Sequence, residues 1–465
     1  MSTAVWQRHQ TPLVLVAAAT LSLPAGLLVA RSEHGISLVL LVIVGLCGLA
    51  VMLSLPTSTL FLGWFFLAPI FQVAAEESAL GLAGVWGLYT APALLFVVMT
   101  LGRLSSATIS WLELIPLGYV VFVLGSVVLT SEDFQSRTFG VLRAVFLTVA
   151  IGVVIYYFLT LGPGRAISGE RILRVLLAGG ILQALFALTE FATLWTLWPS
   201  TGWQDLGGNE FGRVSGTLAN PAVTAAYIGS AIVTAVAVLA CNGPPALRRL
   251  SIVTLVLAVP AILTTLTRAP IFATLVAVLL ILLVSRARYV AIVVALSGAI
   301  ALVTLLPTIQ HSSLYERRVG ESKSILARSS LQDWSIRLWK EKPILGFGWD
   351  SFDEVKNATQ FSAGKISTRI VRAYTSHNSY LTILVELGAV GFLLFATPFV
   401  VVGLQALARA RLPSADQWLF VACLGSLLVI VMTALTVDFR FFSIVQMLPW
   451  LLLALLRRAT APTWS

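Results

Sequence analysis

The amino-acid sequence predicts an all-α fold: a bundle of membrane-spanning helices interrupted by one large polar loop. Hydrophobic residues make up 58% of the 465 residues and charged residues 11%, and the mean hydropathy is +0.94. Apolar runs long enough to cross a hydrocarbon core about 30 Å thick recur along the chain. These runs are unbroken rather than alternating, so helices must satisfy the backbone hydrogen bonds in lipid. The composition excludes a soluble domain.

Fourteen runs are predicted to span the membrane, or twelve if some short helices are miscounted. They divide the chain into a first membrane part (1–306), a polar loop (307–376) and the last membrane helices (377–465). The predicted spans are 12–30, 36–53, 59–75, 80–101, 110–130, 139–161, 172–194, 221–240, 250–266, 270–284, 289–306, 379–407, 417–436 and 441–456.

The distribution of basic residues predicts that both termini lie in the cytoplasm. With that orientation, 13 arginines of the termini and short connections face the cytoplasm and 6 face outward. Cytoplasmic connections are enriched in Lys and Arg, so the loop 307–376, with 18 of the 50 charged side chains, is predicted to be extracytoplasmic. The net charge of +10 is then largely a topology signal and does not indicate a nucleic-acid partner. The first run is expected to be a retained anchor rather than a signal peptide, because it is long enough to span.

Arg268 is the clearest ionisable residue within the predicted spans. Residues 251–284 must cross the bilayer twice, and two helices of about 17 residues fall short of a core about 30 Å thick. Their connection is therefore predicted to be recessed, with Arg268 at the floor of an outward-facing cavity. The alternative is an arginine that reaches to lipid phosphate. Pro270 suits the first turn of the following helix.

Arg213 precedes a predicted turn that enters a helix at Pro221. An arginine beside a helix N-terminus forms an anion site, because backbone N–H groups and guanidinium donors converge there. The alternative is an interfacial loop anchored by three nearby tryptophans.

His377 lies where the polar loop re-enters the membrane, within Ser376-His377-Asn378-Ser379-Tyr380. Histidine titrates near neutrality, which suits a general base, although isolated histidines are more often structural. Glu386 falls on the opposite face of a continuous helix, so it is expected to pack against a neighbouring span. Asp438 either orients His377 or pairs with Arg440, and the sequence leaves both open.

Within the loop, residues 324–342 predict an amphipathic helix. Leu331, Trp334 and Leu338 form one apolar stripe, and Pro343-Ile344-Leu345-Gly346-Phe347-Gly348 ends the helix. Such a helix either lies on the membrane interface or caps a cavity.

These segments form an ordered pattern along the chain. Its parts are Arg213…Asn220-Pro221, Thr267-Arg268-Ala269, Arg328…Trp334…Pro343-Ile344-Leu345-Gly346-Phe347-Gly348, His377-Asn378-Ser379-Tyr380 and Glu386-Leu387-Gly388-Ala389-Val390-Gly391. The pattern resembles the O-antigen ligase and O-antigen polymerase family of membrane glycosyltransferases.

The resemblance implies a GT-C-like, multi-pass glycosyltransferase of the bacterial inner membrane that needs no metal or other cofactor. Its expected partners are a polyprenyl-diphosphate-linked glycan and a glycan or lipid-linked acceptor. By the resemblance, Arg213 and Arg268 bind the diphosphate and His377 deprotonates the acceptor hydroxyl. Further substrate contacts are expected from Arg328, Arg337, Asn378, Tyr380 and Asp438.

The predicted number of spans favours a polymerase of carrier-linked repeats over a ligase, because ligases of this family usually have twelve. Ligase-type transfer to a lipid A-core or other acceptor is the alternative. A lipid-linked oligosaccharide flippase is less favoured, since it needs neither the loop 307–376 nor His377, and the chain shows no repeated halves. A metal-dependent glycosyltransferase with a pair of carboxylates in its first outer loop is disfavoured, because that loop contains a single acid, Glu33.

Overall fold

A computed structural model of the chain consists of α-helices packed into a bundle. It describes residues 55–77, 89–104, 109–130, 145–193, 214–218, 220–285, 322–358, 376–412, 414, 416–439 and 443–460. Every regular element in these ranges is helical, as the apolar runs predict. Eleven of the predicted spans coincide with described helices. The runs at 12–30, 36–53 and 289–306 lie outside the described residues, so the number of spans stays a prediction.

Eight helices precede the polar loop within the described ranges. They are α1 (Thr57–Glu77), α2 (Ala91–Leu101), α3 (Trp111–Thr130), α4 (Ile151–Thr160), α5 (Gly169–Thr193), α6 (Pro221–Ala240), α7 (Pro245–Thr264) and α8 (Arg268–Val284). The described part of the loop contains α9 (Ser322–Glu341) and α10 (Phe352–Ala358), and the last helices are α11 (Ser379–Ala410), α12 (Gln417–Thr433) and α13 (Ser443–Thr460). A π-helical turn precedes α4, and 3₁₀ turns precede α5 and α6. Of these helices, α3, α5, α6, α7 and α11 are long and apolar enough to cross a membrane.

Helix α7 corrects the predicted length of the ninth span. It begins at Pro245 rather than at residue 250 and has 20 residues, or about 30 Å. Hydropathy misplaced the start because Arg248 belongs to the helix: its Nε donates to Gly243 O at 2.7 Å, and a terminal nitrogen donates to Asn242 O at 3.2 Å. The predicted shortfall in length therefore applies to α8 alone, which has 17 residues.

Contacts between helices define two ends of the bundle. At one end, Arg457 of α13 donates to Glu113 at the start of α3, with 2.7 Å between Nε and Oε1. At the other end, Ser379 N donates to Ala434 O, just after α12, at 3.0 Å. We call these the arginine end and the histidine end. Which of them faces the cytoplasm stays a prediction from the arginine distribution.

Helix α6 lies at the centre of the described bundle. Its apolar stretch is 83% buried, whereas that of α11 is 28% buried. Ser426 of α12 donates to Ser230 O at 3.0 Å, and Gly243, just after α6, contacts Trp418 at the start of α12. The two helices are therefore antiparallel, and α6 begins at the histidine end.

Helix α8 runs parallel to α6, which fixes the position of Arg268. Gly229 of α6 packs so closely on Thr274 of α8 that no Cβ would fit between them. Farther along both helices, Val233 of α6 and Ile281 of α8 both contact the position of Gly425 on α12, so α6 and α8 run in the same direction. Gly229 and Thr274 each lie about two turns into their helices. Arg268, the first residue of α8, is therefore at the histidine end of the bundle.

Candidate functional site

His377 occupies a tight turn at the start of α11. Its φ of +49° is in the left-handed region, which residues other than glycine seldom adopt. Asn378 caps α11, because its side-chain oxygen accepts from Tyr380 N at 3.0 Å and Leu381 N at 3.1 Å. Ser376 Oγ donates to Asn378 O at 2.9 Å. Uncommon backbone conformations held by their surroundings cluster at functional sites, and His377 is half-buried between two buried neighbours.

The segment that follows α12 packs directly against this turn. Ser379 Oγ donates to Val437 O at 2.9 Å and accepts from Phe439 N at 3.0 Å. The first residue of α11 is thereby bonded to both sides of Asp438. The fold thus joins two parts of the chain that are about 60 residues apart in sequence.

Asp438 is linked to the histidine turn through Thr382. The Thr382 hydroxyl lies 3.2 Å from Asp438 Oδ2 and 2.9 Å from Asn378 O, and it can donate its one proton to either of these acceptors. It is also hydrogen-bonded to the Ser376 hydroxyl of the turn, and Asp438 is 4% exposed. Of the two roles left open for Asp438, pairing with Arg440 falls outside the described residues. Orienting His377 stays a prediction, now with a bonded connection between the two segments.

Two predicted substrate ligands also hold the fold together. The Asn378 amide oxygen is used in the helix cap, and the Tyr380 hydroxyl donates to Val431 O of α12 at 2.9 Å. Tyr380 also lines a largely apolar cavity of about 220 Å³ together with Trp349, Ser379 and Phe439. Contacts of Asn378 and Tyr380 with substrate stay predictions.

The predicted arginines are only partly described. Arg268 is exposed at the start of α8, and Pro270 lies in its first turn as predicted. Arg213 lies outside the described residues, and so does the side chain of Arg328, although its backbone belongs to α9. Arg337 is exposed on α9. A cavity shared by Arg213, Arg268 and His377 therefore stays a prediction.

The turn after Arg213 is built as the sequence predicts, and it shows a residue that the sequence analysis missed. The Asn220 side chain accepts from Ala222 N at 2.9 Å, with Pro221 as the first residue of α6. Glu190 of α5 accepts from Ser215 N and Gly216 N in the same turn. An acid inside the predicted span 172–194 was a usable signal, because ionisable residues are rare within spans.

The loop segment after α9 is bonded to α11, and α11 is not continuous there. Gly388 has a φ of +63°, which interrupts the helix. The turn formed by residues 343–348 lies against this interruption. Four backbone hydrogen bonds join the two segments: Phe347 N to Val385 O (3.0 Å), Gly348 N to Glu386 O (2.7 Å), Ala389 N to Pro343 O (2.8 Å) and Val390 N to Ile344 O (3.1 Å).

Glu386 corrects a prediction, since it was expected to pack against a neighbouring span. It is fully buried, and its Oε1 accepts from Phe352 N, at the start of α10, at 3.1 Å. The prediction was wrong because it assumed a uniform helix facing only other helices. The interruption at Gly388 lets the polar loop bind to that face of α11.

Helix α9 has the predicted apolar stripe, and the stripe faces the bundle. Leu331, Trp334 and Leu338 are buried in one cluster with Phe352 of α10 and Val385 of α11. The stripe therefore packs on α11, and whether α9 lies on the membrane interface or caps a cavity stays a prediction. The described part of the loop is thereby fixed on α11, about two helical turns after the histidine turn.

Within the described ranges, no three His, Cys, Asp or Glu side chains group closely enough to hold a metal ion. A metal-independent reaction remains an expectation. The chemical groups at the histidine end are an imidazole, a buried carboxylate and an exposed guanidinium at a helix N-terminus.

Comparison with known proteins adds a match to one family model over part of the chain. The apolar helices are those of a multi-pass membrane protein. Residues 253–396 match the family model described as O-antigen ligase. The matched part contains Arg268, α9, the histidine turn and Gly388, whereas Arg213 and Asp438 lie outside it. The match supports a relationship to the O-antigen ligase family and enzyme activity in general, without separating ligases from polymerases. No curated protein matches the chain significantly.

Proposed function

We propose that the protein is an O-antigen ligase-type glycosyltransferase, which moves a glycan from polyprenyl diphosphate to an acceptor hydroxyl outside the inner membrane. The observation that carries the proposal is the histidine turn, which lies inside the family match. The turn begins α11, the helix to which the polar loop is hydrogen-bonded, and Ser379 and Thr382 of that helix are bonded to the segment around Asp438. The number of predicted spans favoured a polymerase, but the matched family model is described as O-antigen ligase, which backs the ligase alternative better without excluding a polymerase. Ligase-type transfer therefore becomes the first proposal.

In the proposed reaction His377 is the general base. Its imidazole takes the proton of the acceptor hydroxyl, and the hydroxyl oxygen forms a bond with the anomeric carbon of the glycan. The bond between that carbon and the diphosphate oxygen breaks, and polyprenyl diphosphate leaves with the electron pair. A positioned general base contributes about 10²–10⁴-fold to such a step. Asp438, through Thr382, helps to hold the turn in which the base sits.

The leaving diphosphate needs positive charge near it. Arg268 begins a helix at the histidine end and is exposed, so its guanidinium is accessible to an anion and lies at the positive end of the α8 dipole. Guanidinium groups bind phosphate oxygens in bidentate fashion, and fixed donors stabilise the charge that develops as the carbon–oxygen bond breaks. Arg213 has the matching position before the turn that enters α6.

The test is a transfer assay with purified protein in nanodiscs and a chelator present. Polyprenyl-diphosphate-linked oligosaccharide is the donor, and a lipid A-core molecule is the added acceptor. We expect the glycan to appear on the acceptor with wild-type protein. The rate of transfer should be lowered about 100-fold or more by His377→Ala and by Arg268→Ala. Arg174→Ala, an exposed arginine near the opposite end of α5, is the matched control.

Each outcome of this assay has a distinct meaning. A ladder of longer carrier-linked glycans without labelled acceptor would establish a polymerase and refute the ligase proposal. Strict dependence on a divalent metal would refute the metal-independent mechanism. Wild-type activity in His377→Ala would remove the histidine from the mechanism. No transfer in either form, but movement of the lipid-linked donor between leaflets, would indicate a flippase.

A further inference from the structure

Glu190 makes an unusual set of contacts for an acid on a candidate membrane span. It lies near the end of α5 at the histidine end and is 7% exposed. Its Oε2 accepts from Ser215 N at 3.1 Å and from Gly216 N at 2.8 Å. Its Oε1 lies 3.5 Å from the hydroxyl of Ser215. The carboxylate is therefore directed at the backbone of the turn that precedes α6.

The same turn is held a second time by Gln183, which lies two helical turns before Glu190 on α5. Gln183 accepts from Thr217 N at 3.4 Å, and its amide also donates to the Thr217 hydroxyl. Thr217 in turn donates to Pro69 O of α1 at 2.8 Å. Two polar side chains of one helix thus fix three consecutive residues of the turn.

The turn needs these partners because its backbone is unusual. Gly216 has a φ of +54°, and buried backbone N–H groups outside helices must find acceptors. An ionisable group within a span costs free energy and is kept where it has a function.

This anchored turn follows Arg213 directly in the sequence. Only Val214, which is buried, separates Arg213 from Ser215. The direction in which the chain leaves Ser215 therefore determines where Arg213 begins. Glu190 itself is bonded to the turn and nearly buried, so its geometry is that of a support rather than of a substrate ligand.

We propose that Glu190 is a positioning residue: it fixes Ser215 and Gly216, and thereby places Arg213 for binding the diphosphate of the lipid carrier. This inference rests on the proposed function, because that function is what assigns the diphosphate to Arg213. It adds the residue on which that arginine's position depends. It also specifies what Glu190 supplies, namely hydrogen-bond acceptors rather than a proton or a free charge.

The substitution Glu190→Gln separates positioning from acid–base or charge roles. Glutamine has the same length, and its single amide oxygen can replace Oε2, the atom that accepts both backbone N–H groups. We expect Glu190→Gln to bind polyprenyl diphosphate within about threefold of wild type, and Glu190→Ala to bind about tenfold more weakly, since a hydrogen-bond loss of this kind is worth roughly that factor. Binding is measured by titrating polyprenyl diphosphate onto protein in nanodiscs. Glu170→Ala, near the other end of the same helix, is the matched control.

A double-mutant cycle tests whether the effect passes through Arg213. If Glu190 acts by placing Arg213, Glu190→Ala will weaken binding in the wild-type background and cause no further loss in the Arg213→Ala background. A merely structural role would reduce binding by the same factor in both backgrounds. Additive losses, or a Glu190→Gln variant as defective as Glu190→Ala, would overturn the proposal.

Two further results keep this test separate from the proposed function. If the cycle is non-additive but wild-type protein transfers no glycan, the positioning role of Glu190 stands and the proposed function fails. If wild-type protein transfers glycan but the cycle is additive, the proposed function stands and the positioning role fails. If Glu190→Ala does not fold, Gly216→Ala replaces it. An added Cβ there meets Gln183 Oε1 at 3.1 Å in a strained backbone conformation, so it shifts the turn without removing the carboxylate, and the same non-additivity with Arg213→Ala is expected.

Discussion

Gly346 and Gly388 meet backbone to backbone, and neither position has room for a Cβ. A Cβ on Gly346 would lie 2.3 Å from Glu386 O, and one on Gly388 would lie 2.2 Å from Ile344 O. Both residues have positive φ, +72° and +63°. The first belongs to the polar loop and the second to α11. Their contact is what allows the loop to be hydrogen-bonded to the helix that begins at the histidine turn.

We expect Gly388→Ala to release the loop from α11. The substitution combines a disfavoured φ with an overlap between backbone atoms, and it should destabilise the protein by roughly 2 kcal/mol or more. Thermal unfolding in detergent and limited proteolysis of the loop measure the effect. Gly403→Ala is the control on the same helix, because nothing lies within 4 Å of a Cβ there. Equal stability and protease resistance of the two variants would contradict this account of the contact.

Glu386 is predicted to secure the same loop at a second point. Glu386→Ala leaves the buried N–H of Phe352 without this acceptor, at a cost of about 1–3 kcal/mol. Glu386→Gln keeps an oxygen at that position and should lose much less. Faster cleavage of the loop in the alanine variant alone is the expected result. The exposed Glu354→Ala serves as the control on α10, and an alanine variant as resistant as this control would show that the bond is dispensable.

The two neighbours His377 and Asn378 should differ in what they affect. His377→Ala is expected to abolish transfer while leaving the N-cap of α11 in place, because the cap and turn bonds come from Ser376 and Asn378. Asn378→Ala removes the N-cap of α11 and should cost about 1 kcal/mol. Asn378→Asp, which keeps a capping oxygen, should restore most of that stability. An unfolding temperature lowered more by His377→Ala than by Asn378→Ala would reverse this assignment.

At the arginine end, the pair between Arg457 and Glu113 should be important for stability. Their side chains are 15% and 5% exposed, and removing one partner of a buried pair costs about 3–5 kcal/mol because the other charge is left alone. Arg457→Met is therefore expected to be much less stable than wild type, and adding Glu113→Met should recover part of the loss. Thermal unfolding of the single and double variants measures this coupling.

The exposed pair of Arg174 and Glu170 is the matched control. Its side chains are 49% and 34% exposed, and pairs four residues apart on a helix contribute about 0.3–0.5 kcal/mol. We expect Arg174→Met to change the unfolding temperature little. If both arginine substitutions have the same small effect, burial does not control the strength of the Arg457 pair.

The sequence predicted the helices well where the chain itself limits the choice. Unbroken apolar runs permit only helices in lipid, and the bounds of α6 agree with the prediction at both ends. The amphipathic stripe of α9 and the capping position of Asn220 were also predictable, because both depend on spacing within one helix or turn. The start of α7 was misplaced because the helix begins at Pro245, whereas its apolar part starts only after Arg248 and Arg249.

The candidate site was predictable only as a set of residue types. His377, Asp438 and Arg268 were found because polar and ionisable groups near a membrane are costly and so attract attention. That Thr382 joins Asp438 to the histidine turn could not be predicted, since the bond connects residues far apart in sequence. The same holds for Glu190, whose partners lie about 25 residues away.

By itself, the sequence determined that this protein is a helical membrane bundle with a polar loop, and that a histidine stands where this loop ends and the next helix begins. It did so because burial in lipid restricts backbone and charge along the chain. Only the tertiary structure decided that α11 is interrupted at Gly388, that Glu386 faces the loop, and that Glu190 supports the turn after Arg213. These features are hydrogen bonds between distant segments, and their partners are selected by packing in three dimensions rather than by any local pattern.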